Sequence, residues 1–151
     1  ALNTVIGHLG TLDEAAQRLA QGDIRMANWV FNRLATETGN PRVQNFDTAK
    51  LAVAEEAMRV FRGALGASEQ EAVRWGERMT SSGSPQQLRG VIAEMGQLFQ
   101  SRIDALASQF ERTTGTGGVN PATVDPANKA KLDALIKKGA STSNDYSRLW
   151  K

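Results

Sequence analysis

SPQQLRGVIAEMGQLFQSRIDALASQFERT, residues 84–113, decides the fold. One stripe of its large apolar residues is Leu88, Ile92, Met95, Phe99, Ile103, Leu106 and Phe110, in steps of 4, 3, 4, 4, 3 and 4. Steps of 4, 3 and 4 repeat every eleven residues, 3.67 per turn, so the stripe stays on one side of a nearly straight helix. Ser84 followed by Pro85 marks its start. The serine accepts from the unpaired N–H groups of the first turn, and proline lacks the N–H that would otherwise go unpaired there. At about 1.5 Å per residue the helix is ~43 Å long, a spine on which shorter helices can pack.

Working upstream, Leu2, Val5, Leu9, Leu12, Ala16 and Leu19 share one helical face. Gly7 and Gly10 fall off that face and cost about 1 kcal/mol each against alanine. A break is therefore expected near Thr11, which has capping-box spacing to Glu14. Gly22 suits a C-terminal cap, and Asp23 can cap a second helix with the stripe Ile24, Ala27, Phe31 and Leu34. Gly39-Asn40-Pro41 ends it. Asn45 caps a third helix through about Arg62. It carries two stripes, Leu51, Ala54, Met58, Phe61 and Leu65 beside Val53, Ala57, Val60 and Ala64, which predicts burial on more than one side. Ser68 with Glu71 is a second capping box, opening a short helix that turns Ala72, Trp75 and Met79 inward. Downstream, Thr113–Gly118 reads as a linker. Asp125-Pro126 starts a last helix with Leu132, Leu135 and Ile136, expected to end at Gly139 before a polar tail.

These elements predict an all-α protein, a compact helical bundle of five or six helices with a long central helix and a C-terminal helical arm. Residues 1–113 form the bundle, organised on 46–62 and 85–113; 114–124 form a Gly/Thr-rich linker; 125–151 form the C-terminal helix and tail. A chain of 151 residues suits one domain and buries enough surface to need no covalent staple. The absence of cysteine removes disulfide and thiolate chemistry. No apolar run approaches the ~20 residues of a membrane helix, and no signal-peptide pattern is present. The opening at Ala1 is that of a processed chain or of a piece of a longer one. Residues 1–113 carry 12 Lys and Arg against 13 Asp and Glu, a net of −1; residues 114–151 carry six against three, a net of +3. That balance lacks the dense basic stripe of a dedicated nucleic-acid binder.

Catalytic patterns are sparse. His8, the sole histidine, is expected on the surface or at a cap, since Asp13 at i+5 lies off its face. Glu55, Glu56, Glu69, Glu71 and Glu94 are expected to be solvated or to sit in first helical turns. With no cysteine and one histidine, no metal site and no cofactor are expected. Gly115-x-Gly117-Gly118 follows a helix and lacks the Lys-Ser/Thr of a phosphate loop. On the last helix, Lys129, Lys131, Lys137 and Lys138 are candidates for phosphate contact, against a plain reading as solvated lysines. Trp29 lies about 160° from Phe31 around its helix, beside Met26 and Arg33. It suits either an interface anchor or a position under the last helix. Tyr146, Leu149 and Trp150 form a second candidate contact group.

Several phrases resemble a region of long virion proteins, internal or DNA-ejection-associated, of tailed bacteriophages and prophages. They are Ala1-Leu2-Asn3-Thr4-x-Ile6-Gly7-His8-Leu9-Gly10-Thr11-Leu12, Asn45-Phe46 with Lys50 and Val53, and Ser84-Pro85-x-Gln87-Leu88-x-Gly90. The similarity runs to about Phe110, with a looser match at Asp125-Pro126. It implies a viral structural module that packs with other virion proteins or with copies of itself as a homo-oligomer, in the virion or, before assembly, in the bacterial cytoplasm. DNA contact through the basic arm and membership of a cell-wall hydrolase are the alternatives it leaves open.

Overall fold

The computed structural model describes residues 2–114 and 124–149, with side chains described for 2–112 and 124–138. Among them are six α-helices and no strand. They are α1 (Leu2–Ala20), α2 (Ile24–Thr38), α3 (Phe46–Arg62), α4 (Glu69–Thr80), α5 (Pro85–Thr114) and α6 (Pro126–Leu149).

Local chemistry sets most boundaries. Gly22 takes the left-handed conformation at φ 78°. Its N–H donates to the Leu19 carbonyl and that of Asp23 to the Arg18 carbonyl, the paired bonds that close a helix on a glycine. Asp23 then accepts from the Met26 N–H and opens α2. At α3, Asn45 accepts from the Thr48 N–H at 3.0 Å and Thr48 accepts from the Asn45 N–H at 3.1 Å, a capping box with threonine in the reciprocal place. Ser68 and Ser84 cap α4 and α5 through the N–H groups of Glu71 and Gln87.

Successive helices fold back on one another. Glu14–Arg33 and Thr11–Glu37 hold α1 against α2. Arg62–Glu69 and the packing of Met58 over Gly76 do so for α3 and α4. Arg78–Glu94 and Arg102–Glu71 join α4 to α5. Phe61 and Phe99 stack across the core with ring centroids 5.6 Å apart. The spine and third helix touch through that pair of rings, while α1 takes the central place: it packs against α2, α3, α5 and α6. Val5, Ile6, Leu9 and Leu12 are fully buried, each contributing about 1.5–3 kcal/mol by leaving water.

That burial explains why α1 runs unbroken past Gly10, against the expected interruption. Two glycine costs of about 1 kcal/mol do not outweigh a face buried on four neighbours. Thr11 donates to the Gly7 carbonyl and to Glu37 instead of capping a new helix. At the other end α6 passes through Gly139 and continues to Leu149. No proline follows, and one glycine is too small a penalty to stop a helix. The linker expected at 114–124 and the Tyr146, Leu149 and Trp150 side chains lie outside the described residues, apart from the ends of the linker at Thr114 and Val124.

Three stripe residues do not face the core. Ile24, the first residue of α2, is 65 % exposed; Val30 fills the face it was expected to share. Leu51 is exposed, about 130° around α3 from the middle of its buried face. Ala64 lies past the end of α3 and is exposed. On α5, full burial ends at Ile103, and Leu106 and Phe110 are half-buried. The arm is docked along its first half: Leu132 and Leu135 are buried, and Leu132 and Ile136 sit over Gly96 of α5. No helix among the described residues is long and apolar enough to cross a membrane.

Candidate interaction site

His8 is not at the surface. It is 8 % exposed, and its Nδ1 lies 2.6 Å from Glu56 Oε2, joining α1 to α3. Glu56 is correspondingly half-buried rather than solvated. Asp13 does point away from His8. It is buried between Arg89 Nε, which donates to Oδ1 at 3.1 Å, and Lys138, 3.9 Å from Oδ2. Oδ2 itself accepts no hydrogen bond among the described residues. Burial raises the Asp13 carboxyl above its ordinary value, and the charges of Arg89 and Lys138 oppose that shift. Lys50 is buried as well, with Nζ 2.7 Å from the Ser82 carbonyl and 3.4 Å from that of Thr80, closing the C-terminus of α4.

Other acids are also paired: Glu14 and Glu37 with Arg33, Glu69 with Arg62, Glu71 with Arg102, and Glu94 with Arg78. Glu69 and Glu71 sit in the first turn of α4 as expected. Among the described residues no three His, Asp or Glu side chains are grouped to hold a metal ion.

Two open grooves of similar size are present among the described residues, one of about 370 Å³ between α4 and α5 and one of about 430 Å³ between α1, α2 and α6. The floor of the second is Gly7 and Gly10 of α1. One wall is Arg33 and Glu37 of α2, with Thr11 and Glu14 beside them. The other is Lys131, Ala134, Leu135 and Lys138 of α6. The two walls follow from register. Asn3 of α1 accepts from the Asp125 N–H at 2.9 Å and from Asn128 at 3.3 Å, and Asp13 meets Lys138 further along. α6 therefore runs beside α1 in the same direction, leaving the glycine side of α1 only partly covered by the described residues.

The four candidate lysines do not form one stripe. Lys131 and Lys138, seven apart, both line the groove. Lys129 and Lys137 are exposed but lie about 100° or more around α6 from that pair. Trp29 is 54 % exposed on α2, and the Arg33 guanidinium sits over its ring, 5.1 Å from the centroid. Sequence reading missed the groove, although its signal was present: two glycines one turn apart on the polar side of an otherwise apolar helix. No family model matches the chain, and neither a curated protein nor a solved structure matches it.

Proposed function

We propose that the chain is a non-enzymatic structural module of a tailed-phage or prophage virion protein, acting through helix packing and contacts with other protein chains. The observation that carries this reading is Trp29. A large aromatic ring held half in water, with an arginine stacked on it, has the composition of residues that dominate binding energy at protein interfaces. The engagement of the acids supports it too. Glu14, Glu56, Glu71 and Glu94, and the buried Asp13, are each committed to a cation or to His8, so they serve to fasten helices together. The viral part of the proposal rests on the resemblance of the quoted phrases. In the structure the described residues of those phrases fall on α1, on the cap and first half of α3 and on the start of α5.

The test has two arms. The chain is expected to form species heavier than its 16.3 kDa mass in solution, or to be incorporated into tailed-phage particles. Trp29→Lys is expected to reduce whichever is observed while leaving the thermal midpoint nearly unchanged. A single 16.3 kDa species at all concentrations that also stays out of particles would overturn the reading.

A further inference from the structure

Asp13 is the only acid buried among the described residues. Its Oδ1 accepts from Arg89 of α5. Oδ2 accepts no hydrogen bond, and the nearest cation, Lys138 of α6, stands 3.9 Å away, beyond hydrogen-bond reach. The carboxyl thus lies where α1, α5 and α6 meet. The same stretch of α6 is seated on both neighbours. Leu135 is buried in the wall that faces Gly7 and Gly10 of α1, and Leu132 and Ile136 lie over Gly96 of α5.

We propose that a proton on Asp13 fastens this part of α6: with Asp13 neutral the helix is held on α1 and α5, and with Asp13 ionised it loosens. The device is independent of any assembly. An ionised carboxylate here keeps one oxygen out of water with no donor to replace it. A proton removes that charge. Lys138 favours the ionised form, but its side chain is half exposed and shares its charge with water. Burial accordingly raises the Asp13 carboxyl above its ordinary 3.8, with Arg89 and Lys138 opposing the shift. The other charges brought to α1 are engaged elsewhere. Arg33 and Glu37 of α2 meet Glu14 and Thr11, Glu56 of α3 meets His8, and Lys131 of α6 faces the groove. Lifting α6 returns the carboxyl toward water and its ordinary value, so the docked state binds the proton more tightly. Docking is therefore strongest below about 3.8 and weakens as pH rises through the docked value.

Amide hydrogen exchange on the full chain, corrected at each pH for the intrinsic exchange rate, reads the docking of α6 directly. Protection of the α6 amides up to Lys138 should fall several-fold between about pH 4 and pH 7, while the amides of α3 and α4 keep theirs. Asp13→Asn supplies a side chain of the same shape that stays neutral. Its α6 protection should be flat with pH, at the level the wild type reaches in acid. Carbon NMR of the Asp13 carboxyl in the unaltered chain gives a second reading, a titration midpoint above 3.8. Four results would each overturn the proposal: α6 protection that ignores pH, a fall shared equally by α3 and α4, a fall that survives in Asp13→Asn, or a carboxyl midpoint at or below 3.8.

Discussion

Desolvation weighs more on Asp13 than its cations relieve. Its carboxyl is raised above the ordinary 3.8, with burial the largest cause and Arg89 and Lys138 opposing it. An acid whose folded value lies above its unfolded one holds more protons in the native state than in the open chain. Its contribution is therefore most favourable in acid and is lost as pH rises from about 3.8 through the folded value. Asp13→Asn keeps the shape and removes the charge. By calorimetry the variant should melt above the wild type at pH 7, with the gap closing as pH falls toward 4; a gap that widened in acid would contradict this. Residues of this kind were illegible beforehand. Asp23, Asn45, Ser68 and Ser84 could be read as caps because each acts on an N–H three positions away. His8–Glu56 and Asp13–Arg89 span 48 and 76 positions, and no local pattern encodes such a meeting.

At the scale of the helix, the glycines and Lys50 give opposite expectations. Gly76→Ala forces Met58 aside and should cost about 1–3 kcal/mol, as overpacking does. Trimming Met58 to alanine in the same chain should recover part of that loss. Gly7→Ala should instead stabilise the monomer by up to about 1 kcal/mol. Urea unfolding of the three variants separates the cases, and a destabilised Gly7→Ala would show that the floor of the groove is filled. Lys50→Met removes the donor to the Thr80 and Ser82 carbonyls and should cost about 1–3 kcal/mol. Amide exchange should rise first at the end of α4. Apolar spacing located all six helices, because 3.6-residue periodicity is a property of the sequence itself. It did not reveal which side of a broad stripe would find a partner: Leu51 and Ile24 fit the pattern and face water, while Val30 was left out of it and is buried.

Across the whole molecule, α6 is the element whose attachment is most open to test. Leu132, fully buried over Gly96, anchors it. Leu132→Ala should cost about 2–5 kcal/mol, and hydrogen exchange should show α6 losing protection before α3 and α4. Uniform loss across all helices would mean that α6 is integral to one cooperative unit rather than a separable arm. The amide of Asp125 is held by Asn3, 122 positions earlier. A ribosome releases the first partner long before the second. At about 5–20 residues per second the interval is roughly 6–24 s. Throughout it, the flank of α1 that α6 will cover stays bare on the growing polypeptide, open to a chaperone or to the nascent chain of the next ribosome on the same message.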